Sequence, residues 1–332
     1  MLIAKLLKIV GMLGGAAAAF SGMLYIAAMG EYPVPKTIGQ DPTLPRIEAG
    51  GKVFHGEAFG DPSAEPVIVI HGGPGWDYKT LLPLKALSDR YYVVFYDQMG
   101  TGLSPRVDDD KVSMHTLLAD LDAMVDKFGR GGKVSLVGHS WGAMMASAYL
   151  GAHPEKVRRI VLAEPGFFNN TQAKEAGIRF GPAWTWDFMS HATWTMFEAL
   201  HIDKPDKDAA QDYFIGQIAT QANLEYYCAG APFDKLSDHF RAGARSAQAI
   251  MTKGMDDDGN FTFDLTDGVD RFKDEVLFLA GDCNKMFGAP VQKKRLAAFP
   301  NARMVVIKGS GHMMFLEKPE ESIAAVREYL GS

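Results

Sequence analysis

Gly138-His139-Ser140-Trp141-Gly142 reads G-x-S-x-G, preceded by an apolar run over residues 134–137 and followed by a helix-like run over residues 143–150. A serine on a sharp strand-to-helix turn has its hydroxyl pushed out above a sheet. The flanking glycines let the backbone turn without a Cβ clash. The helix N-terminus then lies under the place where negative charge develops during acyl transfer. A serine hydroxyl is a weak nucleophile until a base takes its proton. His312 is the candidate among nine histidines, because Gly309-Ser310-Gly311-His312 forms a loop between the last predicted strand and the last predicted helix. His139, next to the serine, is expected to point to the other side of the turn. The base must in turn be held in one tautomer by a carboxylate. Two positions at predicted strand tips qualify, Glu164 in Ala163-Glu164-Pro165-Gly166 and Asp282 in Gly281-Asp282-Cys283-Asn284. Glu164 ends an otherwise apolar strand, where a charge is costly without a partner. The developing oxyanion needs backbone N–H donors. His71-Gly72-Gly73-Pro74-Gly75 follows another apolar strand and supplies one through Gly73, and Trp141 supplies the other. A phosphate cradle is excluded for this loop, since no Gly-Lys-Ser/Thr follows.

The elements that must position these residues alternate between strand and helix. Residues 52–59, 66–70, 91–96, 133–137, 159–163, 275–280 and 303–308 read as strands. Residues 78–88, 113–128, 291–299 and 320–329 read as helices. Ser113 is placed to cap the second of these and Gly129 to stop it. Short, wholly apolar strands belong to sheets buried on both faces. Repeated βαβ units imply a parallel sheet with helices on both sides. Residues 167–265 break the rhythm; they are helical in texture and rich in aromatics, including Trp184, Trp186, Trp194, Tyr213, Tyr226 and Tyr227. They are expected to form a cap over the C-terminal edge of the sheet, where ligands of such sheets bind. The organisation is then a 1–30 N-terminal segment, a 31–50 linker, a core first part at 51–166, a cap at 167–265 and a core second part at 266–332.

The 332 residues carry 34 basic and 40 acidic side chains, a net charge of -6, and show no basic stripe, which argues against nucleic acid as a partner. Cys228 and Cys283 lie far apart without metal-ligand spacing and are read as free thiols. Residues 9–30 contain no charged side chain, while Lys5 and Lys8 precede them. A helix of that length spans about 30 Å. The expectation is a membrane anchor with the catalytic part outside the cytoplasm. The rival is a cleaved signal segment, which would leave a secreted or periplasmic protein.

Together these residues resemble the α/β-hydrolase superfamily. His71-Gly72-Gly73-Pro74-Gly75, Asp97-Gln98-Met99-Gly100-Thr101-Gly102-Leu103-Ser104 and Gly138-His139-Ser140-Trp141-Gly142 are similar to the proline iminopeptidase branch. The resemblance covers residues 50–166 and 266–332. It implies the α/β-hydrolase fold, a mostly parallel central sheet flanked by helices with an inserted helical cap. It also implies a serine hydrolase without metal or organic cofactor. Its substrate would be a small ester, amide or short peptide, cleaved through an acyl-enzyme on Ser140. A carboxylesterase, an iminopeptidase-like aminopeptidase, a lactonase and a non-catalytic binding protein all remain open. An aminopeptidase needs carboxylates for the free ammonium group, and Glu198 and Glu225 are the candidates. Two positions depart from the branch. Met99 stands where arginine is usual. Asn284 stands where the acid of a Gly-x-x-Asp motif is usual. Haloalkane dehalogenases place a glutamate after the sixth strand, which matches Glu164; Glu164 is therefore preferred and Asp282 is second.

Overall fold

A computed structural model describes residues 2–175, 185–203, 205–222, 224–228 and 239–332. Its centre is an eight-stranded sheet in the order β1-β2-β4-β3-β5-β6-β7-β8. The strands are β1 (Arg46–Ala49), β2 (Lys52–Phe59), β3 (Pro66–Ile70), β4 (Tyr92–Tyr96), β5 (Val134–His139), β6 (Val157–Ala163), β7 (Val276–Gly281) and β8 (Ala302–Ile307). β1 and β2 pair antiparallel at one edge, and all pairings from β4 to β8 are parallel. β1 lies within the stretch read as a linker and is held by four register pairs to β2.

Alternation along each strand divides the core into two layers. Ile68, Ile70, Val94 and Tyr96 face α2 (Met114–Gly129) and α3 (Trp141–Ala152). Val67, Val69, Val93 and Phe95 face the opposite layer, which includes Leu81, Leu84, Val326 and Tyr329. Ser113 caps α2 in a reciprocal capping box with Thr116. α2 ends at Gly129, and the left-handed residue that closes it is Arg130, with φ 51°. Residues 78–88 do not form an α-helix. Lys79–Asp89 is 3-10 helix with Pro83 inside it, and proline removes a backbone donor and crowds the preceding turn.

Between β6 and β7 the described helices are α4 (Asn170–Glu175), α5 (Trp186–Ala199), α6 (Ala209–Ala222) and α7 (Ala244–Lys253). Trp184 lies outside the described residues. Asp212 of α6 is buried between Arg106 and Arg241, at 2.9 and 2.8 Å. This charge cluster ties α6 to the loop after β4. The chain closes with α8 (Ala289–Leu296), α9 (Met314–Glu317) and α10 (Pro319–Leu330).

Two expectations are corrected. α1 (Leu2–Ala27) has 26 residues, yet no helix among the described residues is long and apolar enough to cross a membrane. The anchor rests on the absence of charge over residues 9–30, and a charge-free run is not by itself a membrane span. The membrane anchor, the membrane as partner and the location derived from them do not stand. The end of α1 instead meets α5 and the residues after it: the Tyr25 ring lies 4.2 Å from that of His201. The second correction concerns the cysteines. Cys228 and Cys283 form a disulfide, with Cα atoms 5.0 Å apart, because the cap folds back onto the loop after β7.

Candidate active site

β5 runs straight into Ser140, and α3 starts at the next residue. Ser140 takes φ 54° and ψ -117°, a sparsely populated backbone conformation that persists only where the surroundings impose it. The surroundings here are backbone packed on backbone. A methyl group at Gly142 would lie 2.0 Å from the Ile70 carbonyl oxygen, and one at Gly138 would lie 2.5 Å from that of Gly142. A methyl group at Gly72 would lie 3.1 Å from Ser140 Cβ, so the loop after β3 passes directly beside the serine. His71 holds that loop. Its Nε2 accepts from the Gln98 N–H at 3.0 Å, and Gln98 Nε2 donates back to the His71 carbonyl at 2.9 Å.

His312 is fixed at three points. Its N–H donates to the Tyr226 carbonyl at 2.6 Å. Its own carbonyl accepts from His139 Nε2 at 2.8 Å. Its Nδ1 donates to Glu164 Oε2 at 2.7 Å, which leaves Nε2 as the acceptor nitrogen. His139 therefore does not point away. It lines the same cavity as Ser140 and His312 and steadies the loop that carries His312. The Ser140 hydroxyl makes no hydrogen bond to a described residue. Such contacts commonly tighten only when substrate is bound.

Glu164 follows β6, and β6 pairs with β7, so its carboxylate reaches the β7 tip at once. Oε1 accepts from the Gly281 N–H at 2.7 Å, and Oε2 accepts from Asn284 Nδ2 at 2.6 Å. The orientation of the Asn284 amide is set on its other side, where Oδ1 accepts from the Met286 and Phe287 N–H groups, both at 3.0 Å. Burial pushes the Glu164 carboxyl upward, against the pull of those donors and of the Arg295 charge. The Gly281 N–H and the Asn284 amide are donors that an ionised carboxylate accepts, so they oppose that upward push. Burial and Arg295 push His312 down to about 4. Burial and the neighbouring His312 push His139 down to about 3. Asp282 is exposed, and its carboxylate accepts from the Gly309 N–H at 2.7 Å. Asn284, unlike Asp282, touches the pair: its Nδ2 lies 3.4 Å from His312 Nδ1. Sequence reasoning weighed Asn284 only as a missing acid. The amide's role as a donor to Glu164 depends on a contact 120 residues apart in the chain.

Gly73, Ser140 and His312 line one cavity of about 400 Å³. The Trp141 N–H sits in the first turn of α3, where N–H groups have no carbonyl partner inside the helix. The rest of the wall is largely apolar, with Trp76, Ile215, Tyr226, Met251 and Met313, and it includes Thr80 and Gln248. Among the described residues no acidic side chain lines the cavity. Glu198 instead accepts from the Tyr213 hydroxyl at 3.0 Å, and Glu225 is exposed. Trp186 is 86% exposed, so it belongs neither to the cavity nor to a cap core. Among the described residues no group of His, Cys, Asp and Glu is placed to hold a metal ion.

Comparison with known proteins identifies the family. Over 112 residues the chain is 31% identical to a cis-3-alkyl-4-alkyloxetan-2-one decarboxylase from Shewanella oneidensis, a match covering 33% of this chain and 35% of that protein. It is 24% identical over 309 residues to a proline iminopeptidase from Heyndrickxia coagulans, covering 85% of this chain and 96% of that one. Among solved structures, an esterase from Exiguobacterium antarcticum superposes with a TM-score of 0.61 at 20% identity, over 87% of this chain and all (100%) of that one. The model of the "Alpha/beta hydrolase family" matches residues 67–326. That match runs from β3 through the serine turn, Glu164 and His312 into α10, and the chain therefore belongs to the alpha/beta hydrolase family.

Proposed function

We propose that the protein is a serine hydrolase of neutral carboxylic esters, linear or cyclic, with Ser140 as nucleophile, His312 as base and Glu164 as the acid that orients it. The observation that carries this reading is His312, fixed to Glu164 through Nδ1 and sharing a cavity with Ser140. In the first step the Ser140 hydroxyl oxygen attacks the substrate carbonyl carbon while His312 Nε2 takes its proton. The N–H groups of Gly73 and Trp141 hold the oxyanion, each contributing about 3 kcal/mol of transition-state stabilisation. The imidazolium is stabilised by Glu164 and then protonates the leaving alcohol. Water, deprotonated by the same imidazole, releases the acid from the acyl-enzyme.

The choice of ester over free amine follows from the wall of the cavity. An ammonium group moved into an apolar site without a carboxylate loses several kcal/mol of hydration with nothing in return. The described lining holds no such carboxylate, which supports a neutral substrate over an N-terminal proline peptide. The oxetan-2-one in one relative's name is itself a four-membered cyclic ester carrying two alkyl arms, a shape in keeping with an apolar cavity of this size.

A fluorophosphonate probe tests the nucleophile, and a substrate panel tests the class. Stoichiometric labelling that vanishes in Ser140→Ala is expected. So is a kcat/KM for p-nitrophenyl butyrate or a dialkyl β-lactone about 100-fold above that for proline naphthylamide, the discrimination given by roughly 3 kcal/mol of unpaired charge. Folded protein that resists the probe would end the hydrolase reading. Preferred turnover of the naphthylamide would overturn the ester assignment.

A further inference from the structure

The residue that stands out around this site is a cation for which no ion pair is found among the described residues. Arg295 of α8 is 2% exposed, whereas its neighbours Lys293 and Lys294 are exposed. Its Nη1 donates to the carbonyl of Pro165, the residue after Glu164. Its Nη2 is buried and has no hydrogen-bond partner among the described residues. The guanidinium also lies 5.3 Å from the centre of the Phe287 ring. Gln292 of the same helix makes a second bond to the Pro165 carbonyl at 3.0 Å, so hydrogen bonding alone does not require an arginine there. Burying a guanidinium without a salt bridge is unfavourable and calls for a compensating field. The carboxylate whose charge reaches it is Glu164.

We propose that Arg295 is the buried counter-ion of the Glu164–His312 pair and positions the carboxylate by gripping the turn that follows it. Glu164 takes a left-handed φ of 44°, a conformation that a side chain larger than glycine adopts only under constraint. Arg295 and Gln292, both on Pro165 O, supply that constraint from α8. Gly281 and Asn284 supply it from the β7 side. The charges then balance: one guanidinium, one carboxylate and a neutral imidazole. A proton on His312 would place a second cation in the same buried space. The inference rests on the reading of His312 as base.

Several other groups face His312. Glu164 comes from the tip of β6, His139 from β5 and Tyr226 from the cap. Glu317 of α9 accepts from the Gly311 and Met313 N–H groups. Asp282 sits at the exposed end of the same loop, on Gly309. Of these groups and Arg295, only Arg295 carries a fixed positive charge, so removing it must make His312 easier to protonate.

The test uses the full chain and two neutral replacements. Arg295→Gln keeps a donor for Pro165, and Arg295→Met keeps bulk. Arg295→Lys keeps the charge, and Gln292→Leu removes the other Pro165 bond without touching the charge. The ring of His312 is titrated by NMR with labelled histidine, assigned by the loss of its signal in His312→Gln. In Arg295→Gln and Arg295→Met the midpoint is expected to rise by about one pH unit or more, a tenfold gain in proton affinity. The acid limb of kcat/KM on p-nitrophenyl butyrate should move up with it, while KM stays within a factor of about two, because ester binding is not a charge effect. Arg295→Lys and Gln292→Leu should leave the midpoint near its original place. An unmoved midpoint in either folded neutral variant, or an equal shift in Gln292→Leu, would overturn the proposal. Because the titration needs no turnover, a protein that fails to hydrolyse esters but shows these shifts would refute the proposed reaction and keep Arg295 as counter-ion.

Discussion

Replacing Glu164 with Gln exchanges one carboxylate oxygen for an amide nitrogen, and the site around it offers only donors. Gly281 N–H, Asn284 Nδ2 and His312 Nδ1 all point at the carboxylate. The amide introduced by Glu164→Gln must set at least one N–H against one of them. His312 then loses both the acceptor that selects its tautomer and the charge that stabilises its protonated form. At 2.7 Å and an effective dielectric constant of about 20, that charge interaction is about 6 kcal/mol. This corresponds to a fall in kcat of about 10⁴-fold, the loss seen when the acid of a Ser-His-Asp triad becomes its amide. Asn284→Asp in the same chain provides the complement. A carboxylate oxygen in place of Nδ2 would lie 3.4 Å from His312 Nδ1, where the same arithmetic gives about 5 kcal/mol. The double variant Glu164→Gln/Asn284→Asp should therefore recover about 10²- to 10³-fold over the single one. Asn284→Asp alone should add a titration to the pH profile, since two carboxylates at 2.6 Å share a proton. The assay is steady-state kcat on a p-nitrophenyl ester, with circular dichroism to confirm folding. A Glu164→Gln protein that keeps more than about a tenth of its kcat would refute the role of the acid. A double variant no faster than the single one would refute the geometry that places residue 284 within reach.

Three further outcomes follow from the same contacts. Cys228→Ser with Cys283→Ser opens a loop of 55 residues and should lower the unfolding free energy by about 4 kcal/mol in urea titrations, matched by adding a dithiol to the unaltered chain. His139 and His312 are pushed down to about 3 and about 4, whereas in the unfolded chain both titrate near 6.5. The unfolded chain therefore binds more protons once the pH drops below about 6.5, so stability is full above that pH and declines as pH falls. The ceiling is about 4 kcal/mol between pH 7 and pH 5 for the two together, and His139→Gln should remove about half of the slope. Gly142→Ala places a methyl group 2.0 Å from the Ile70 carbonyl oxygen and should cost more than about 3 kcal/mol. A soluble variant with an unchanged melting temperature would contradict the close packing of α3 on β3.

What was legible in the chain is what depends on short stretches of backbone. The strand, turn and helix around Ser140 announce themselves because a tight turn needs its glycines and a buried parallel strand needs an unbroken apolar run. The α/β-hydrolase fold could be read for the same reason, motif by motif. The features that escaped depend on chain segments meeting after folding. Cys228 and Cys283 look like isolated thiols until the cap returns to the β7 loop. His139 looks like a turn residue until its Nε2 is seen donating to a carbonyl 173 residues away. Asn284 looks like a lost acid until its amide is found donating to Glu164. Residues 9–30 misled in the other direction: a charge-free length is visible in sequence, yet no helix among the described residues is long and apolar enough to cross a membrane. Pro83 was visible as well, and its effect on residues 79–89 was a matter of local backbone chemistry.

On the proposed reading of Glu164, the position of the acid illustrates how a fold can supply one functional group from either of two strands. β6 and β7 are adjacent and parallel, with Ala163 opposite Leu279, so their two tips open side by side beneath His312. An imidazole constrained by Tyr226 and His139 through its own backbone requires only that an acceptor lie near Nδ1. Either strand can supply it. When the acid comes from β6, the position after β7 is free to become a donor, and Asn284 fills it with an amide aimed at the new carboxylate. Moving the acid also moves its burial. Glu164 is fully buried where Asp282 is exposed, and a buried carboxylate needs more than one imidazole to remain ionised. The Gly281 N–H, the Asn284 amide and the Arg295 guanidinium all pull against that burial. On this argument, Glu164 and Asn284 work as one unit with Arg295, and substituting Glu164 alone should harm the site more than the combined exchange that also places a carboxylate at residue 284.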